Sequence, residues 1–414
     1  MQRLILHNLG PVKDCDIAVN DFMALTGPQA SGKSTIARAI FFFRTIKDDI
    51  IDMMARETVG EKPDSWSRRF DRRLRNKFIQ LFGSSYGMPD DVDLKYYFNE
   101  DTWIRVYLTP NNQPRYGRNF IKIGFSKNIW YHFGDLDQRL PSAVGPSERE
   151  HEQAKLAGLF SDHYETVLIP AGRGMITLLT SQLDYIFTSM DQERKSRVDY
   201  CTRRYVELVL KLKPSFSGGI EELLSNKLHL AQQEFQVPKA EKMQKMIAEA
   251  LRGRYRYADG EEKLYLGTKG YARYVKINFA SSGQQEIVWV TNILFYYLVE
   301  NRPLFLIFEE PESNLYPDTQ KKMTELLSLF CNAGNQVLIT THSPHVLGKL
   351  NNLIYASGIS AKGVSGVEKI IDRDVWLNKD SVSAWRMENG IAVPAAEGEL
   401  GLIRNEDIDG HPFI

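Results

Sequence analysis

The stretch Gly27 to Thr35, GPQASGKST, carries the residue types and the spacing that hold a chain of phosphates. It matches G-x-x-x-x-G-K-[ST] through Gly27, Gly32, Lys33 and Ser34. The glycines let successive backbone N–H groups converge on phosphate oxygens. A lysine then reaches the outer phosphates, and a hydroxyl meets a divalent cation. Ser31 and Thr35 add polar atoms to the same turn. A second stretch, LIFEEPESNLYP, ends an apolar run on two carboxylates, Glu309 and Glu310. One carboxylate can hold magnesium, and the other can orient an attacking water or accept its proton. A third, ASSGQQEI, sets Ser281, Ser282, Gly283 and Gln284 at the mouth of an apolar helical run. Hydroxyls and free N–H groups at a helix start suit an anion. A fourth, ITTHSPHVL, places His342 just past another apolar run, where it can sense a terminal phosphate.

These residues need strands that end where the chemistry begins. Phe22 to Leu25, Leu304 to Phe308 and Val337 to Ile339 are short apolar runs of the kind buried in a parallel sheet. In such α/β folds, ligands sit outside the carboxyl ends of the strands. Adjacent strand residues face opposite ways, so Glu309 and Glu310 need not share one role. YETVLIPAGRG reads as a further core strand with Arg173 at its end, a candidate active-site or switch residue.

Between these anchors lie two insertions. In DSWSRRFDRRLRNKFIQLFG, Trp66, Phe70, Leu74 and Phe78 form a helical apolar stripe. Arg68, Arg69, Arg72, Arg73, Arg75 and Lys77 cover the remaining face, which can meet a phosphate backbone, an acidic protein or only solvent. The chain then alternates like antiparallel strands that turn at TPNNQP. Residues 176–252 read as helices, with a glycine stop after Arg252.

Lys+Arg and Asp+Glu balance at 52 each, so a nucleic-acid surface could only be a local patch. Cys15, Cys201 and Cys331 are scattered, which argues against a zinc site or a disulfide framework and fits a reducing cytoplasm. The apolar run Ile287 to Val299 is interrupted by Thr291 and Asn292 and is too short to span a bilayer, so no membrane contact is expected.

The set and order of the four motifs resemble the ABC-class ATPases of the SMC, RecF and OLD group. The resemblance implies an α/β head of the ABC type: a mixed sheet core with an antiparallel β-subdomain, plus a short helical arm. It implies ATP and Mg²⁺ as ligands. Gly27, Ser31, Gly32, Lys33, Ser34 and Thr35 would bind the phosphates, and Ser34 and Glu309 the metal. Glu310 and His342 would be catalytic. In this group the Ser-x-Gly-Gln turn contacts the nucleotide of a second copy, so Ser281 to Gln284 would complete a homodimer or a higher even-numbered oligomer. Ser282 stands where many members have glycine, and Glu309 where transporters have Asp.

The matching boundaries are 1–175 for one lobe, with an insertion at about 50–163, and 176–252 for the helical insertion. Residues 253–350 would form the second lobe and 351–414 an extension. The turn PESNLYP looks like that of ATPases in anti-phage defence. IDRD and NEDID near the C-terminus lack the spacing of a Toprim nuclease, so a separate effector, nuclease or toxin-like, is expected. A RecF-like DNA-repair ATPase and an ATP-bound scaffold are the alternatives.

Overall fold

The computed structural model describes residues 1–55, 65–110, 119–139, 146–178, 198–230, 236–267 and 273–404. Asn111 to Pro114 of the expected turn, two stretches of the helical insertion and the NEDID segment lie outside them. The chain divides into two compact units.

The first comprises residues 1–19, 29–166 and 387–393. Strands β1 (Arg3–Leu9) and β2 (Val12–Ala18) pair antiparallel. Leu4, Leu6 and Leu9 alternate inward, facing buried Val12, Cys15 and Ile17. After β3 (Phe22–Thr26), which lies in the second unit, come α1 (Lys33–Arg44), α2 (Ile46–Ala55) and α3 (Trp66–Phe82). Then β4 (Asp93–Tyr97), β5 (Trp103–Pro110) and β6 (Asn119–Phe125) extend the sheet antiparallel in the order β6-β5-β4-β1-β2. This is the expected β-subdomain. Helices α4 (Lys127–Arg139) and α5 (Pro146–Leu159) complete the unit.

Helix α3 buries the expected stripe, Trp66, Phe70, Leu74 and Phe78, against α1, α4 and β6. Its basic face departs from the sequence reading. Lys77 is 3% exposed. Its ammonium donates to Thr45 Oγ1 at 2.7 Å and the Phe42 carbonyl at 3.1 Å, and pairs with Asp49. Arg73 also reaches Asp49 Oδ1, through Nε at 3.0 Å and Nη2 at 2.9 Å, and Arg75 pairs with Asp71. The reason is helical geometry: Lys77 lies one turn beyond Leu74 and Arg73, on the edge of the buried stripe. Only Arg68 and Arg72 of the six are exposed.

The second unit comprises residues 20–28, 167–386 and 394–414. It runs through β7 (Glu165–Ile169), α6 (Tyr200–Leu212), α7 (Gly219–Leu230) and α8 (Val237–Leu251). An antiparallel sheet of β8 (Gly253–Ala258), β9 (Glu261–Leu266) and β10 (Tyr274–Lys276) follows. Then come α9 (Ser282–Val299), β11 (Leu304–Glu309), α10 (Pro317–Asn332), β12 (Gln336–Thr340), α11 (Pro344–Ala361) and β13 (Val382–Glu388). The strand order is β13-β3-β12-β11-β7, with β13, β12 and β11 parallel to their neighbours around β3. Residues beyond 350 thus supply a strand of the main sheet.

Leu304 to Phe308 and Val337 to Ile339 are fully buried, as strands covered on both faces must be. Helix α9 is apolar on all sides and buried along nearly its whole length. It is anchored by the buried Glu262 carboxylate, which accepts from Trp289 Nε1 at 2.8 Å and Tyr255 Oη at 2.9 Å and pairs with Lys213 at 3.0 Å. Helices α6 to α8 share this core through Tyr205, Val209, Ile220 and Ile247. At the end of α8 the left-handed residue is Arg252 itself, at φ 49°. Gly253 serves a different need, since a Cβ there would stand 2.7 Å from the Tyr265 carbonyl across the β8–β9 ladder.

Replacing Lys77 by alanine leaves Asp49 buried with only Arg73 to compensate it. A loss of about 3 kcal/mol is expected, because removing one partner of a buried pair strands the other charge. Urea unfolding of the Lys77→Ala protein measures it, and a loss below about 0.5 kcal/mol would class the pair with surface bridges.

Candidate functional site

In the first unit, the loop into α1 turns left-handed at Ala30 (φ 59°) and Gly32 (φ 106°). A Cβ at Gly32 would meet Val12 Cγ2 at 2.4 Å, so only glycine fits there. Helix α1 begins at Lys33 with no side chain capping its N-terminus and no acidic residue in its first turn. Its first N–H groups therefore present positive potential without a built-in anion, a cradle that fits a phosphate. Lys33 is buried to 5% exposure, with Nζ 3.5 Å from Ser31 Oγ. Ser34 is exposed and Thr35 half-buried. Beside them lies a pocket of about 670 Å³ lined by Leu9, Gly10, Ser34, Thr35, Arg38 and Phe82 among others.

In the second unit, three strand ends stand level: Leu25 is in register with Thr340, and Thr340 with Glu309. The Thr341 N–H donates to the Leu25 carbonyl at 2.9 Å, and the Glu310 N–H to the Thr340 carbonyl at 2.9 Å. Gly27, at φ 133°, follows β3 directly. Glu309 is 4% exposed, the last residue of β11. Glu310 leaves the strand in the left-handed region at φ 47°. Ser313 Oγ donates to Glu310 Oε2 at 3.0 Å. His342 lies just past β12, partly exposed.

Sequence reasoning missed Glu312. Its Oε1 accepts the His342 backbone N–H at 2.7 Å, so it fixes the start of the segment that carries the histidine. Burial pushes the Glu312 carboxyl above the ordinary value, against the His342 and Thr341 hydrogen bonds that favour the charged form. The charge of a glutamate two residues beyond the paired acids is visible in the sequence, but the segment after β12 that it bonds to is not.

The turn Ser281 to Gln284 is the N-terminus of α9, closed by a capping box. Gln284 Oε1 accepts from the Ser281 N–H at 3.1 Å and from its hydroxyl at 3.0 Å, while Gln284 Nε2 donates to the Leu251 carbonyl at 2.8 Å. Ser281 and Ser282 remain exposed, and Gly283 passes close to the Asn314 carbonyl, 3.3 Å from where a Cβ would sit. A groove of about 850 Å³ runs beside this turn, lined by Ser281, Gln284, Asn314, Tyr316, Lys322 and Lys349 among others. Arg173 does not reach a surface; it is fully buried beneath the ends of β11 and α9.

Residues 177–347 match the model of the AAA ATPase domain. Among curated proteins, the cell division ATP-binding protein FtsE of Mycobacterium tuberculosis is 27% identical over 95 residues, 22% of this chain and 39% of that protein. The chain thus aligns with well under half the length of this relative. Among solved structures, the SMC head domain of Thermotoga maritima is 15% identical at TM-score 0.37, covering 95% of this chain and 97% of its own. The Smc head with an extended coiled coil from Pyrococcus furiosus, bound to the C-terminal domain of ScpA, is 14% identical at TM-score 0.40, covering 95% and 96%. A phosphate loop, a buried α/β sheet and the domain match together define an ATPase. No helix among the described residues is long and apolar enough to cross a membrane.

Glu312 also gives a pH dependence whose sign is fixed. Its pKa is raised in the folded state, so folding favours the protonated acid and the burial cost appears as pH rises through the carboxylate range. Glu312→Gln keeps an oxygen for the His342 N–H and removes that cost. The variant should melt above the parent at about pH 8, with the gap closing toward about pH 4. Scanning calorimetry at both values checks this; a gap that widens on acidification would reverse the assignment.

Proposed function

We propose that this chain is an ABC-class ATPase that binds ATP with Mg²⁺, closes head to tail with a second copy around the nucleotides, and regulates a separate nuclease or toxin effector in anti-phage defence. The observation that carries the ATPase reading is the level ending of β3, β12 and β11, which delivers Glu309, Glu310 and His342 to one edge of a single parallel sheet.

In this reading Gly27, Ser31, Gly32, Lys33 and Thr35 hold the phosphates, and Ser34 with Glu309 holds Mg²⁺, which neutralises charge on the phosphates when bound. Glu310, presented by its left-handed backbone and steadied by Ser313, orients the attacking water and takes its proton. His342, fixed through Glu312, meets the terminal phosphate. Ser281 to Gln284 contact the partner copy's nucleotide. Their exposure at an uncharged helix start and the groove beside them support this. The resemblance of PESNLYP to defence ATPases supports the effector role. The reading of a DNA-repair ATPase draws on the exposed Arg68 and Arg72.

Lys33→Ala should abolish ATP binding in equilibrium dialysis. Glu310→Gln should keep ATP and lose turnover by about 100-fold or more; undiminished hydrolysis removes Glu310 from the chemistry. Ser281→Arg should bind ATP yet stay monomeric in light scattering with ATP present, and normal ATP-dependent dimerisation would place the interface elsewhere. Affinity capture of the Glu310→Gln protein with ATP tests the effector. Co-purification of a stoichiometric nuclease or toxin supports regulation, whereas recovery with DNA alone, or hydrolysis stimulated by DNA, moves the reading to repair.

A further inference from the structure

Arg173 is the most deeply buried charged side chain among the described residues of the second unit. Its side chain is fully buried, just past the end of β7. Nη1 donates to the Glu309 carbonyl at 3.0 Å and Nη2 to the Glu310 carbonyl at 3.0 Å. Nε donates to the Glu286 carbonyl at 3.2 Å and lies 3.2 Å from Glu286 Oε2. The guanidinium also stacks over the Phe308 ring, 4.5 Å from its centroid. One planar group thus holds the exit of β11 and the first turn of α9.

The chain continues beyond Glu286. Its second oxygen, Oε1, accepts from Asn314 Nδ2 at 2.9 Å. Asn314 sits in the turn after Glu310, and its own carbonyl lies against Gly283. The fit is tight from behind as well, since a Cβ at Gly174 would fall 2.4 Å from Glu286 Oε1. The helix start at Ser281, the turn at Asn314 and the peptide groups of Glu309 and Glu310 are therefore joined through Arg173 and Glu286.

This arrangement has a mechanical consequence. The Glu310 carbonyl, past the end of the strand, accepts from the Ser313 N–H of its own turn at 3.0 Å and from Arg173 Nη2 at 3.0 Å, so the guanidinium ties that turn to β7 and α9. A shift of the α9 N-terminus moves Glu286, and with it the guanidinium that orients both carbonyls. We propose that Arg173 is a positioning residue that couples the seating of an anion on the Ser281–Gln284 turn to the orientation of the Glu310 carboxylate, through Glu286 and Asn314. The inference rests on the reading of Glu310 as the base and of the Ser281 turn as an anion contact.

Asn314→Gly is the sharpest test. Asn314 is exposed and sits at φ 56°, a conformation glycine adopts freely, so the variant deletes the bond to Glu286 with little disturbance of the fold. Glu286→Gln is the second variant, which keeps the shape and removes the charge. Each is assayed for steady-state ATP hydrolysis and for melting temperature, beside Glu310→Gln. Coupling predicts that kcat falls about tenfold in Asn314→Gly, with KM for ATP and melting temperature near those of the parent. It also predicts that Asn314→Gly and Glu286→Gln together lose less than the product of their separate losses. A kcat within about twofold of the parent in Asn314→Gly, with Glu310→Gln inactive, overturns the coupling and leaves the base assignment standing. Parental turnover in Glu310→Gln instead removes the base assignment and the coupling with it. A lowered melting temperature with unchanged kcat would mark the network as structural only and overturn the proposal.

Discussion

A parallel strand buried on both faces has no room for a charge along its length. In β11 and β12 the apolar residues run unbroken from Leu304 to Phe308 and from Val337 to Ile339, and polar groups appear only where the backbone leaves the sheet. Because β3, β12 and β11 are in register, those departures happen at one level. The hydrogen-bond ladder therefore decides where the carboxylates, the threonines and the histidine-bearing segment stand. Slipping β11 by one residue would exchange the directions of Glu309 and its neighbours.

Leaving the sheet has a cost, because beyond the last ladder bonds, Thr341 N–H to Leu25 and Glu310 N–H to Thr340, the peptide groups need other partners. The second unit meets that cost with buried and half-buried side chains. Glu312 takes the His342 N–H, Arg173 takes two carbonyls at the end of β11, and Asn335 Oδ1 takes the Leu304 N–H at the other end of the same strand. These groups are ionised or strongly polar and lie within the apolar interior, where an unmade bond is expensive. Of these, Arg173 holds the two peptide groups from which the Glu309 and Glu310 side chains project.

The strand ends were legible from apolar runs that stop on polar residues, and the phosphate loop from its glycine spacing. The antiparallel strands and the apolar stripe of α3 were legible from their periods of two and about four. The basic face of α3 was not, because periodicity places Lys77 on a helix edge and cannot say that Asp49 from α2 waits there. Arg173 could be picked out as a charge at a strand end, but its partners are carbonyls and a glutamate more than a hundred positions away. Such long-range pairings leave no local pattern. The stop at Arg252 and Gly253 was read one residue late for the same reason: the glycine answers to a facing strand, not to the helix it follows.

The left-handed backbone at Glu310 has an evolutionary side. A glutamate at φ 47° carries strain of about 1 kcal/mol that glycine does not, and asparagine tolerates the region better than most residues. A chain drifting without selection for hydrolysis would thus gain thermal robustness by giving up this side chain. On the proposed role of Glu310 as the base, retention of glutamate at such a position is a trade of stability for activity. Degenerate copies that have lost the chemistry should be recognisable by a small residue there, with the rest of the sheet intact.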